Sequence, residues 1–340
     1  MEVPTGIRHG RGDIRLSPPS LMALCRSLCT SYGPILSVLL LLLWIPTFTL
    51  ADPAAPASPA SPEDQIWATF QYDFPAQTIA QFQALADEAG KRGDADAQAI
   101  YLSQMARAEG VRKNLDAADA ILDRAEKLAK GDGARERIKL ERARILRRRG
   151  RTKAAREAFV GVYDTARKLG LHPNLPIDAA HMLALMSEGN EAKQWTERGF
   201  TLAESSENPL VNRWVGVLAW NLAGSYEEQG NHAMAALYYS RSLASRVTHS
   251  NAAVLRTTEH ALARQLRFLG ACRETIGIET RLLSQEPEKD AAPQLYEIAE
   301  CRSSLGEKQE ASAFAARALK VLGKGDAPPE IMERLRSMVH

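Results

Sequence analysis

Apolar and polar positions alternate along most of the 340-residue chain with a helical period, interrupted at regular distances by short breaks. Residues 218–244 show the unit. Leu218, Leu222 and Tyr226 stand four apart and fall on one face of a first helix. Gln229-Gly230-Asn231 breaks the pattern, and Ala235, Tyr239 and Leu243 restart it on a second helix. Ala223 and Ala235 fall where the two helices cross, and a larger side chain there would push the axes apart. The arrangement recurs with Gly150, Ala155 and Phe159, at the Gly189-Asn190 break, at Gly270, and at Gly306 followed by Ala311. A weaker unit has Lys113 at its break, then Ala118 and Leu122. The breaks at Lys113, Gly150, Gly189, Gly230, Gly270 and Gly306 are 37, 39, 41, 40 and 36 residues apart. A repeating helix pair of this length predicts a stacked solenoid, because one pair cannot bury its apolar stripe and its neighbours complete the core. Ala, Leu, Glu and Arg dominate and no Val/Ile/Thr-rich alternation recurs, so the folded part reads as all-α.

These residues resemble the tetratricopeptide-repeat family. Its unit has a large–small pair and a Tyr on the first helix, a Gly at the turn, and an Ala and an aromatic on the second. Leu222-Ala223, Tyr226, Gly230, Ala235 and Tyr239 match, as do Gly150, Ala155 and Phe159. Leu262-Ala263, Gly270 and the trailing Pro287 match again, and so do Gly306 and Ala311. The intervals are longer than the family's usual length of about 34, and Gln194 and Thr275 stand where small residues are expected. The resemblance covers about residues 94–322 and implies a right-handed α-solenoid of antiparallel helix pairs.

The N-terminus is different in kind. Residues 35–45 are apolar and uncharged, but short beside the ~20 residues a spanning helix needs. Arg26 precedes the run, Pro46 breaks it, and Thr49-Leu50-Ala51 fits a small-x-small cleavage site. This is the layout of a secretory signal peptide and predicts an exported protein, periplasmic or secreted. An uncleaved signal anchor, which would tie the protein to a membrane, is the alternative. Met22 would make a more ordinary start than Met1, and Arg11-Gly12-Asp13 lies in the leader, where it reads as chance. The expected organisation is a leader and signal over residues 1–51, a Pro/Ala-rich linker over 52–63 and an N-terminal capping helix region over 64–93. About six helix pairs follow over 94–325, then a C-terminal capping helix over 326–340. Trp67, Phe70, Tyr72 and Phe74 precede Pro75, which suits the first turn of a helix, and are expected to cover the open apolar end of the first repeat.

Charge and motifs narrow the function. With 43 Lys and Arg against 41 Asp and Glu the chain does not read as a general nucleic-acid binder, although residues 134–170 hold thirteen basic residues against four acidic ones. There is no Gly-rich phosphate loop, no Gly-x-Ser-x-Gly elbow and no His-Glu-x-x-His. Asp94-Ala95-Asp96 lacks the Gly and closing Glu of a calcium loop and reads as a helix start. His181 falls on a first helix as a packed residue, with no partner to make it a base. No enzyme, metal or cofactor is expected. Cys272 begins a second helix and Cys301 lies near the end of the next first helix, so antiparallel packing brings their Cα atoms within ~6 Å. In an exported protein this fits a disulfide, and it fits two buried free thiols equally well.

In the family the first helices line a concave face that binds extended peptides or partner helices. The repeat phase points Arg107, Arg144, Arg148 and Trp220 towards that face, with Glu227, His260, Arg264 and Arg267, and places Arg147 near it. Such a groove is basic and has an aromatic platform, suited to an acidic peptide or a terminal carboxylate. A solvated charged face that binds nothing specific is the competing reading. Only Asn221 stands where the family's carboxylate clamp has one of its residues, so that clamp does not carry over. Trp195 is expected in the core. The sequence thus predicts an exported, non-enzymatic module for a protein or peptide partner. The alternative is a structural scaffold or self-assembling envelope protein with an inert groove.

Overall fold

The computed structural model describes residues 61–285, 287, 291–323 and 327–339. They lie in the second of the chain's two compact units, Ala54–His340. The signal and leader fall in the first, Met1–Pro53, and with the linker to residue 60 lie outside the described residues.

Among the described residues every element is a helix. The order is α1 (Pro62–Thr69), α2 (Pro75–Lys91), α3 (Ala95–Val111), α4 (Leu115–Leu128), α5 (Asp132–Arg148), α6 (Thr152–Lys168), α7 (Asn174–Ala184) and α8 (Gly189–Glu204). Then come α9 (Arg213–Glu228), α10 (His232–Arg246), α11 (Ala252–Phe268), α12 (Cys272–Leu283), α13 (Ala292–Ser304), α14 (Lys308–Leu322) and α15 (Pro329–Val339). From α2 to α15 each helix packs on the next in sequence, and the first helices of successive pairs also meet, α3 with α5, α5 with α7 and α11 with α13. The fold is an all-α solenoid of helix pairs.

The local physics explains the spacing. All six break residues have positive φ, from 53° at Gly189 to 81° at Gly270, and Lys113 (65°) is the one non-Gly among the described residues to do so. At Gly230 the turn closes with two backbone bonds. The Gly230 N–H donates to the Glu227 carbonyl and the Asn231 N–H to the Tyr226 carbonyl, both at 2.9 Å. These satisfy carbonyls that the end of α9 would otherwise leave without a donor. Asn231 then caps α10 by accepting the Met234 N–H at 3.2 Å. The Gly189 break is built differently. The α7 helix stops at Ala184, and Gly189 is the first residue of α8 behind an extended Glu188.

Ala223 and Ala235 are fully buried between α9 and α10, with Tyr239 filling the space beside them. The two departures from the repeat are absorbed in different ways. Thr275 is buried and donates its hydroxyl to the Ala263 carbonyl at 3.0 Å. Gln194 is exposed, and Trp195 and Thr196 turn inward instead. Trp195 is a core residue, edge-on to Tyr163 at 5.3 Å.

Candidate functional site

The site begins at a helix start. Ser61 accepts the Asp64 N–H at 3.2 Å, and the Asp64 carboxylate accepts the Ser61 N–H at 3.3 Å and its hydroxyl at 2.7 Å. With Pro62 in the first turn, this capping box nucleates α1. A helix this short is not stable alone in water, so contacts outside it hold it in place.

Those contacts come from the first helices of four successive pairs and from the segments just ahead of α7 and α9. Tyr101 on α3 donates to the Gln65 side chain at 2.6 Å. Arg137 on α5 donates through Nε to Glu63 at 2.9 Å. Asn174 at the start of α7 donates to the Glu63 carbonyl at 3.1 Å and accepts the Trp214 indole N–H at 3.2 Å. Trp214 on α9 meets Trp67 edge to face at 4.9 Å. Asn208 donates to Asp64 at 2.9 Å, and His172 Nε2 lies 3.2 Å from the same carboxylate. Trp67 was expected at the open end of the solenoid, but these bonds carry it across the face to α9. Of the four aromatics Phe70 packs on the first core cluster, while Tyr72 and Phe74 are exposed.

Beneath α1 lies a buried charge network. Arg137, Glu141, Arg144 and Arg148 fall four, three and four apart on α5 and so share one stripe. Arg137, 2% exposed, lies 3.2 Å from Asp178 and 3.6 Å from Glu141. Arg144 lies 3.2 Å from Glu141 and also pairs with Asp178. Arg107 is 3.9 Å from both carboxylates. Burial pushes the Asp178 carboxyl up, but Arg144, Arg107 and Arg137 outweigh it and hold the group well below the usual carboxylate range. Burial likewise works against the charge on Arg137, and Glu63, Asp178 and Glu141 outweigh it.

Past α1 the chain runs over Phe70 and Tyr72. The Arg107 guanidinium lies 4.6 Å from the Phe70 ring centre and 5.4 Å from that of Tyr72, and donates to the Tyr72 hydroxyl. Between this segment and the first helices is a cavity of about 440 Å³. Its apolar side includes Ile66, Trp67, Trp214 and Val217, and its polar side Arg144, Arg147, Arg148 and His181. The Nδ1 of His181 is buried without a hydrogen-bond partner. Burial, joined by Arg144, Arg107 and Arg147 and opposed by Asp178, lowers this imidazole to about 4. Burial and the neighbouring Arg144, Arg107 and Arg147 also pull Arg148 down.

The residues the sequence placed on this face do not form one basic groove. Arg107 and Arg144 belong to the network and Arg148 to the cavity. Further along, each cation meets an acid of the same chain. Arg264 pairs with Glu227 at 2.5 Å, and Glu227 also accepts the Tyr239 hydroxyl at 2.9 Å. His260 meets the buried Glu279 at 2.9 Å, and Arg267 pairs with Glu297. Trp220 packs edge-on against Tyr239 of its partner helix at 5.0 Å, with Arg246 over its ring, so it is part of the pair's packing. The Asn221 carbonyl accepts the Ser225 hydroxyl at 3.2 Å. Cys272 and Cys301 are adjacent, buried and free, and burial followed by the Cys272 neighbour pushes the Cys301 thiol up. Among the described residues no group of three or more His, Cys, Asp or Glu is placed to hold a metal ion.

No protein-family model and no curated protein sequence matches the chain. Solved structures do. The signal transduction ATPase (STAND protein) with a tetratricopeptide-repeat sensor from Pyrococcus horikoshii superposes with a TM-score of 0.55 at 12% identity, covering 78% of this chain. This chain spans 41% of that protein. The apo quorum sensor NprR from B. thuringiensis gives 0.47 at 14% identity over 82% of this chain and 79% of its own. The fold is TPR-like. The first of these likenesses carries that statement, and it concerns architecture alone.

Within this TPR-like fold Glu63 and Asp64 on α1, and Arg137, Asp178 and Trp214 on the first helices, were not singled out from the sequence as site residues, and Trp67 was read only as an end cap. The 137-141-144-148 stripe was readable in the basic run of α5. The partners of that stripe were not, since Glu63 and Asp178 lie 74 and 41 residues from Arg137.

Proposed function

We propose that this protein is a non-catalytic interaction module that holds a short acidic helix of a partner protein across its first helices. One observation carries the reading: the face already holds such a helix, the chain's own α1. Acidic side chains at the helix start meet Arg137, Asn208 and His172, and Trp67 three or four residues later meets Trp214. Residues spaced this way share one side of a helix, so the contact repeats the helix-in-groove mode of recognition. The receiving side chains are fixed by their own buried bonds, which keeps the ordering cost of binding low.

Because α1 is joined to α2 through residues 70–74, it competes intramolecularly, at an effective concentration in the mM range for a short connection. A partner helix therefore has to bind more tightly than α1 or act where α1 is loosened. Export through the N-terminal leader belongs to the same proposal and is checked by sequencing the N-terminus of the mature protein.

The test is a labelled peptide of residues 61–69 titrated into the full-length chain and into a Glu63→Ala, Trp67→Ala variant. The peptide should bind the variant at least about tenfold more tightly than the wild type, since loss of a charged hydrogen bond and an aromatic contact weakens the resident helix by more than about 1.4 kcal/mol. A peptide with Lys in place of both acids should not bind. Equal binding of the two peptides, or none to the variant, rules the reading out.

A further inference from the structure

We propose that the cavity beneath residues 66–72 binds a small amphiphilic anion, its carboxylate or phosphate group held by Arg147, Arg148 and His181 and its apolar body against Trp67 and Trp214. This goes beyond a partner-protein role, since the ligand would sit under α1 without replacing it.

The charges around the cavity do not cancel. Arg107, Arg137 and Arg144 are matched by Glu63, Glu141 and Asp178. Arg147 and Arg148 line the same space and have no carboxylate partner among the described residues. Two positive charges are therefore left uncompensated at the exposed rim of the cavity, where an anion would balance them.

A second observation points the same way. The Nδ1 of His181 is buried at the cavity without a partner. A buried polar atom left unpaired is costly, and a turn of the imidazole towards the cavity would bring this one to an anion oxygen. Trp67 and Trp214 supply flat apolar surface beside these polar groups. At about 440 Å³ the cavity has the size of a small-molecule site, with a mixture of apolar wall and few polar anchors common to such sites. Ile66, Trp67, Phe70 and Tyr72 close it from the α1 side, so a bound anion would also tighten α1 onto the solenoid.

The experiment uses tryptophan fluorescence of the full-length chain with 2-naphthoate, phenyl phosphate and the uncharged 2-naphthamide. The dipeptide Ala-Phe and its C-terminal amide form the second arm. At least one anion should bind saturably, its uncharged counterpart at least about tenfold more weakly, and an Arg147→Ala, Arg148→Ala variant should lose at least about tenfold in affinity for it. Tighter binding of Ala-Phe than of the other anions assigns the group to a peptide terminus, and the reverse assigns it to a free small molecule. Either supports the site. Equal binding of acid and amide overturns it, as does indifference to the double substitution or absence of saturable binding by every probe. The acid–amide comparison is made on the wild type and so does not depend on how the variant folds.

Discussion

Arg137 and Glu63 are 74 residues apart and form a buried two-point ion pair, in which Arg137 Nε donates to Glu63 Oε1 at 2.9 Å and Nη2 to the other oxygen. The bond ties the start of α1 to the middle of the solenoid. It sits in a network whose desolvation is costly, so its removal from one side exposes that cost. We expect Arg137→Met, which strands the buried Glu63 and leaves Asp178 with only Arg144 and Arg107, to lower stability by about 3–5 kcal/mol. Glu63→Ala should cost less, about 1.5–3 kcal/mol, because Asp178 and Glu141 still face Arg137. Urea unfolding measures both, and limited proteolysis should cut residues 61–74 faster in Glu63→Ala. Unchanged cleavage would mean that the pair does not hold α1.

His181 and His260 make the stability of the fold depend on pH in opposite windows. His181 is lowered to about 4 when folded, against about 6.5 when unfolded. Between those values the unfolded chain takes up a proton that the folded chain refuses, so stability falls as pH drops from about 6.5 to about 4. Burial is the main cause of the lowered value, opposed by Asp178 and joined by Arg144, Arg107 and Arg147, which all face the imidazole. Burial lowers His260, but its bond to Glu279 together with the charges of Glu279 and Glu297 outweighs burial, and the group is raised. Its contribution is complete below about 6.5 and lost as pH climbs through the folded value. We expect His181→Gln to flatten the thermal-melting profile between pH 6.5 and 4 while leaving the change above 6.5 in place. A wild-type slope in the variant would show that another group titrates there.

What could be read from the sequence was what repeats. The six breaks, the small residues at the helix crossings and the all-α class follow from local rules that each unit obeys separately. All six break residues take the left-handed backbone for that reason. The site does not repeat. Arg144 and Arg148 stood out as cations on one stripe, but Asp178 comes from the next pair and Glu63 from a helix before the repeats. Nothing in the periodicity links them. The same blindness turned Arg264, His260 and Arg267 into apparent free charge, because Glu279 and Glu297 were not placed opposite them and Glu227, placed on the same face, was not paired with Arg264. Trp220 and Trp214 differ for a related reason. Six residues apart on one helix, they lie on different sides of α9, and Asn174 and Trp67 decide which of them faces the site.

Cys272 and Cys301 were placed together by the antiparallel geometry, and they are neighbours as free thiols. Both are buried, and the raised Cys301 thiol is a poor nucleophile at neutral pH. We expect a thiol reagent to label neither residue in the native protein and both after denaturation without reductant. Mass spectrometry counts the labels. Absence of labelling after denaturation would show a disulfide, and labelling of the native protein would show that the α12–α13 contact opens.

Lys113 makes the turn between α3 and α4 with φ of 65°, where the other five breaks use glycine. The turn is otherwise the same as that at Gly230, since the Lys113 N–H donates to the Gly110 carbonyl at 3.1 Å and the Asn114 N–H to that of Glu109 at 2.9 Å. A side chain in the left-handed region costs about 1–2 kcal/mol through the clash of Cβ with the backbone. Glycine removes that cost and adds about 0.5–1 kcal/mol of unfolded-chain entropy. The exposed Lys113 side chain contributes no packing to set against this. We therefore expect Lys113→Gly to stabilise the protein by about 0.5–1 kcal/mol. The reverse change, Gly230→Ala, meets no atom within 4 Å, so its destabilisation comes from the backbone alone. Urea midpoints should move in opposite directions in the two variants with the slope unchanged. A lower midpoint for Lys113→Gly would mean that the Lys113 side chain makes a contribution larger than the strain it imposes.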